Sequence, residues 1–125
     1  MVTQGSGLIA TITGHGPPWP GMGTTAVSWG LVESMLRQWA ADLGPHGVRV
    51  AWLRTGGFAE SLTGSRDYGS SYDPDGEQAA AAIREATILK QVPSIEEAGR
   101  AVVYLATARH VTGCAINLTA GAVAD

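Results

Sequence analysis

The sequence predicts an α/β fold built on a parallel sheet of about three strands with crossover helices, and three observations predict it. Short apolar, β-branched runs recur at residues 8–13, 48–53 and 114–118. Between them the hydrophobic period lengthens to that of helices, once between the first two runs and twice between the last two. The connections are too long for hairpins, and helical crossovers between apolar strands imply parallel pairing with right-handed connections. The order strand, helix, strand, two helices, strand is that of a layered α/β domain.

Each element has its own signature. The first run, LIATIT, lies between Gly7 and Gly14 and reads as a buried strand. Residues 14–23 hold three prolines and four glycines and read as loop. A helix is predicted from Thr24 or Thr25 to Leu43. Trp29, Val32, Leu36, Ala40 and Leu43 fall on one face, Leu31, Met35 and Trp39 form an adjacent stripe, and Glu33, Arg37 and Asp42 are the polar remainder. Gly44 with Pro45 behind it is the predicted stop. The second run, VRVAWL, ends at Arg54-Thr55-Gly56-Gly57. Residues 59–76 are polar, rich in Gly, Ser and Asp, and read as a long loop. A helix is predicted over 77–91 and closed by Pro93. Ser94 and Glu97 form a capping box for a last helix to about Ala108, with Ala98, Ala101, Val102 and Leu105 inward. Val111-Thr112-Gly113 turns into the third run, and the tail 119–125 is small and Gly/Ala-rich.

Composition narrows the functional classes. The 125 residues make at most one domain, short for a complete dinucleotide-binding enzyme. Eight basic against 11 acidic residues give a net charge of −3 without a basic patch, which argues against nucleic-acid binding. No apolar run is long enough to span a membrane, and the N-terminus lacks the basic start of a signal peptide. The single cysteine, Cys114, allows no internal disulfide, which fits a cytoplasmic protein, and it reads as a buried, inert thiol.

Several local motifs occur in a fixed order. They are GSGLIATITG at residues 5–14, the helix and turn from Glu33 through Gly44-Pro45-His46-Gly47 to Val50, Thr55-Gly56, Glu96-Glu97 through Leu105-Ala106, and Val111-Thr112-Gly113. Together they resemble the C-terminal half of the short-chain dehydrogenase/reductase family over essentially the whole chain. The resemblance implies a Rossmann-like, doubly wound parallel sheet of which residues 1–125 supply the last strands as a single partial domain. It also implies that the dinucleotide-binding half, with its glycine-rich phosphate loop, lies upstream. No Gly-x-x-x-Gly-x-Gly follows a strand here.

The resemblance further implies an NAD or NADP cofactor and hydride transfer to or from a carbonyl or alcohol. A Tyr, a Lys one helical turn later and a Ser then form the proton-transfer site. Counting back from Gly44-Pro45-His46-Gly47 puts the Tyr at Thr25 and the Lys at Trp29, and the Ser falls at Gly14. An aliphatic hydroxyl is too weak an acid to replace Tyr, and an indole carries no charge. No Tyr precedes Tyr68 and no Lys precedes Lys90, so a shift of register does not restore the pair. Thr13 and His15 remain as weak catalytic candidates, Thr13 to orient a carbonyl and His15 as an acid or base. Thr13, Thr55, Gly56 and Phe58 are the candidate cofactor contacts. Glu60 stands where the family often has a Thr that bonds the cofactor, and its charge would repel a pyrophosphate, with Ser61 as a substitute.

Other residues read as ordinary structure. His15, His46 and His110 are scattered without metal spacing, so no metal site is expected. Asp67, Asp73 and Asp75 lack EF-hand spacing. Trp29 and Trp39 read as core or interface residues, and the wide apolar surface of their helix suggests association. Three readings follow. The first is an oxidoreductase half whose enzyme status is left open by Thr25 and Trp29, with Met1 either an internal Met taken as a start or the start of a truncated gene. The second is a non-catalytic half-domain that homodimerises or pairs with its missing N-terminal half or a full-length relative. The third is a small-molecule binder using Thr13, Gly56 and Tyr68.

Overall fold

The run VRVAWLRT is the most deeply buried stretch of the chain and becomes the central strand of its sheet. The computed structural model describes residues 1–16, 20, 23–62 and 77–122. In chain order these form β1 (Gly7–Gly14), α1 (Thr25–Leu43), β2 (Val48–Thr55), α2 (Ala59–Leu62), α3 (Glu77–Ala86), α4 (Ile95–Thr107) and β3 (Cys114–Asn117). The sheet order is β1-β2-β3 and both pairs are parallel, as expected for this α/β class. Gly7 to Gly14 face Val48 to Thr55, and Ala51 to Arg54 face Cys114 to Asn117.

Alternation along β2 divides the core between two helices. Val50 and Trp52 meet Leu36, Ala40 and Leu43 of α1, with Ile9 and Ala115 beside them. Ala51 and Leu53 meet Ala98, Ala101 and Leu105 of α4, with Leu8, Phe58 and Ile116. Arg49 pins the far end of α4. Its Nη1 donates to the carbonyls of Leu105 (2.6 Å) and Ala108 (2.8 Å), supplying the positive charge that the last turn of α4 lacks.

Several boundaries differ from expectation, each for a local reason. β1 and β2 run on to Gly14 and Thr55, because their pairing continues in register to those residues. α1 ends at Leu43 with Gly44 as its C-cap, as expected, but Gly44 keeps a helical conformation (φ −54) and opens a 3-10 turn, Gly44–His46, so the left-handed glycine is Gly47, with φ 76. Gly47 must be glycine twice over, since a Cβ there would also collide with the Gly5 carbonyl. Part of the expected 59–76 loop is helical, as α2. α3 ends at Ala86 rather than 91, where the buried Thr87 hydroxyl takes over the backbone. It donates to Arg84 O (2.9 Å) and accepts from Gln91 N (3.0 Å). The predicted capping box is present, Ser94 Oγ accepting from Glu97 N and Glu97 Oε2 from Ser94 N.

Burial corrects three more expectations. Glu33 is buried, not part of a solvated face, and Val32 and Val102 are largely exposed. Cys114 is exposed, not buried, because it opens an edge strand directly after the Gly113 turn. Tyr68, Tyr72, Asp67, Asp73 and Asp75 lie outside the described residues.

Candidate functional site

β1 and β2 end side by side, Gly14 opposite Thr55, and His15 N continues the ladder by donating to Thr55 O (2.9 Å). In parallel α/β sheets this carboxyl edge is where ligands bind. The first half of α1 crosses it. Thr25, the first residue of α1, is exposed. Trp29, one turn on, is half-buried against Gly14, and a Cβ built on Gly14 would fall inside the indole, colliding with Cε2, Cζ2 and Nε1. The space beside the end of β1 is therefore filled by Trp29.

Glu33, a further turn along, is the electrostatic centre. Its carboxylate accepts both ends of the Arg54 guanidinium, Nε to Oε1 at 2.6 Å and Nη2 to Oε2 at 2.7 Å. Arg37 Nη2 adds a contact at 2.9 Å, and His15 Nδ1 stands 4.0 Å from Oε1. Arg54 Nη1 reaches Asn117 Oδ1 at 3.4 Å, and Arg37 lies 5.4 Å from the ring centre of Trp52. The Arg54 hydrogen bonds hold the Glu33 carboxyl down at about 2 against a model-compound value of 4.5, outweighing the burial that opposes ionisation. The Arg54 charge, Trp52 and Arg37 act in the same direction as the Arg54 hydrogen bonds. The Trp52 indole N–H turns toward the carboxylate without reaching hydrogen-bond geometry.

The remaining candidates are divided between this site and its rim. Thr13 is buried, and its hydroxyl has no partner among the described residues. Thr55 Oγ1 is committed to the backbone of Gly57, donating to its carbonyl and accepting from its N–H, both at 3.0 Å. Among the described residues Gly56 is open, with only the His15 carbonyl within 4 Å of a built Cβ. Phe58 packs into the α4 side of the core. Glu60 Oε2 accepts from Ile95 N (3.1 Å) at the start of α4, and Ser61 Oγ serves the backbone of Phe58. Both side chains are thus engaged in local structure. Among the described residues no cluster of His, Cys, Asp or Glu could hold a metal, and no helix is long and apolar enough to cross a membrane. Two shallow concavities, of about 270 and 820 Å³, lie away from Gly14 and Trp29, one beside Pro93 and Leu118 and the other beside Leu8 and Arg109.

Sequence reasoning missed Glu33 and Arg54. A signal existed, because Glu33 is four residues after Trp29 and three before Leu36, on the inward face of α1. Arg54 was legible only as a charge at the end of a buried run.

Comparison with known proteins agrees with this fold. The family model described as Enoyl-(Acyl carrier protein) reductase matches residues 1–122. The chain belongs to the short-chain dehydrogenase/reductase family. A solved short chain dehydrogenase/reductase family protein is 28% identical with a TM-score of 0.74, over 97% of this chain and 47% of its own. A dehydrogenase/reductase from Sinorhizobium meliloti 1021 is 27% identical with a TM-score of 0.72, over 94% of this chain and 44% of its own. A 7α-hydroxysteroid dehydrogenase solved with NADH and 7-oxo glycochenodeoxycholic acid shares the fold at 20% identity and a TM-score of 0.78, over 100% of this chain and 48% of its own. The chain thus spans slightly under half the length of these solved relatives. No curated protein gives a match.

A carboxyl group that is more acidic folded than unfolded stabilises the fold above its unfolded pKa. Glu33 therefore stabilises the chain fully above pH about 4.5 and loses that contribution as pH falls through about 2. The shift corresponds to roughly 3 kcal/mol. Urea unfolding of the wild type between pH 6 and 2 is expected to show this acid loss, and Glu33→Gln to be less stable at pH 6 with a flatter acid limb. Equal acid limbs for the two proteins would contradict the assignment.

Proposed function

We propose that this chain is a non-catalytic half of a short-chain dehydrogenase/reductase fold, which does not itself transfer hydride. The observation that supports this most directly is Trp29. It stands where the resemblance places the Lys, and its indole lies against Gly14, where the resemblance places the Ser. Thr25, at the Tyr position, is exposed and carries no acid able to exchange a proton near neutral pH. The residues at the nicotinamide position do not fit that group well. Thr55 is spent on the Gly57 backbone, the Thr13 hydroxyl is buried, and an indole replaces the cation that would hold the ribose. His15 faces a carboxylate that is itself held by two guanidiniums, which leaves no acid–base pair aimed at a substrate. In a longer protein that supplied the missing half, the family chemistry would be hydride exchange between NAD or NADP and a carbonyl or alcohol.

A second reading, association with another copy of the chain, rests on a separate observation. Val27, Leu31, Met35 and Trp39 recur every four residues along α1 and are 62, 66, 41 and 39% exposed. This row is continuous and uncharged and runs beside the core-facing residues of α1, so two copies can pack it against itself.

Two outcomes are expected. Thr25→Tyr/Trp29→Lys, made in this chain, gives no oxidation of NADH or NADPH with carbonyl substrates at 340 nm, because the two changes supply no glycine-rich phosphate loop to hold the cofactor. Measurable turnover would contradict the proposal. In sedimentation velocity the chain runs as a dimer, and Leu31→Glu/Met35→Glu shifts it to monomer. A wild-type monomer at tens of micromolar would rule out the second reading.

A further inference from the structure

We infer that Gly14 and Trp29 are a matched pair that closes the ligand edge of the sheet, the absent side chain at 14 forming the seat that the indole fills. This deepens the non-catalytic reading and rests on it for its meaning, though not for its test. Glycine at the end of a strand usually reports a backbone demand, but Gly14 makes none. It is not among the glycines with positive φ, and it continues the β1–β2 register to Thr55. Any L-residue could adopt its conformation. What a side chain there would strike first is the Trp29 ring, since the three nearest atoms to a built Cβ are all indole atoms.

The neighbouring glycines sharpen the contrast. Gly47 is required by its own φ and by the Gly5 carbonyl, and among the described residues Gly56 has open space around it. Trp29 in turn is carried by an anchored helix. It is on the inward row of α1, one turn before Glu33, which Arg54 holds in a two-pronged grip. The Thr13 hydroxyl, on the residue before Gly14, is left without a partner among the described residues. A planar ring, such as a nicotinamide, or a carbonyl seeking that hydroxyl is excluded from over Gly14 as long as Trp29 keeps its place.

The test is a double-mutant cycle by equilibrium urea unfolding of the full chain. Gly14→Ala in the Trp29 background is expected to lower the folding equilibrium constant by about tenfold or more, as overpacking does. In the Trp29→Ala background the same change is expected to cost less than about twofold, since the ring it would strike is gone. Equal costs in the two backgrounds, or no cost in either, would overturn the pairing. If Gly14→Ala alone is insoluble, a soluble, cooperatively unfolding Gly14→Ala/Trp29→Ala supports the pairing, and an insoluble double variant beside soluble Trp29→Ala overturns it. Trp29→Leu serves as the second background if Trp29→Ala does not fold. Turnover by the chain would remove the non-catalytic reading and leave the pairing standing, whereas absence of coupling would remove the pairing and leave the chemistry of Thr25 and Trp29 as it is.

Discussion

The geometry of the ligand edge depends on the buried ion pair between Glu33 and Arg54. Withdrawing two charges from water costs several kcal/mol per ion, so such a pair persists only with close geometry and with its other hydrogen-bonding capacity used. Here the guanidinium meets the carboxylate in parallel at 2.6 and 2.7 Å, Arg37 satisfies Oε2 from the solvent side, and Asn117 takes another Arg54 donor. The result is a tie across β2, β3 and the helix above them. α1 is joined to β2 by charge and to β3 through Asn117, while Leu36 and Leu43 bury the other half of the same face.

That tie fixes where the earlier turn of α1 must lie. Trp29 is four residues before Glu33, so holding Glu33 over β2 sets the indole down at the end of β1, on Gly14. A serine at 14 and a tryptophan at 29 cannot coexist in this arrangement. Glycine at 14 and tryptophan at 29 are therefore structurally linked, and Thr13 is left buried beside them with a hydroxyl that has no partner among the described residues.

Much of this fold was legible in the sequence because local rules and tertiary structure agree. The β-branched runs become strands, Ser94 and Glu97 cap α4 as their spacing requires, and the helix beginning at Thr25 ends where it should. The failures occur where a side chain acts over distance or competes with the backbone. Glu33 is polar by composition, but its partner is 21 residues away on the next strand, so only its position on the inward face hinted at burial. Thr87 ends α3 early through its own hydroxyl, against the good helix propensity of the residues around it. Cys114 followed the general burial habit of cysteine, which an edge position overrides. For the site, Thr25 and Trp29, which the count back from the Gly44–Gly47 turn picked out, both lie on α1. No sequence rule stated that the ring would rest on Gly14.

The most direct measurement is a nuclear Overhauser spectrum of the isotopically labelled chain, read at the Trp29 indole protons. The account predicts cross-peaks from the Trp29 Nε1 and ζ2 protons to the Gly14 α protons, since the ring occupies the place of a Gly14 side chain. An indole that shows contacts only to residues of its own helix, with none to Gly14, would contradict the account. It would mean that the edge of the sheet is open.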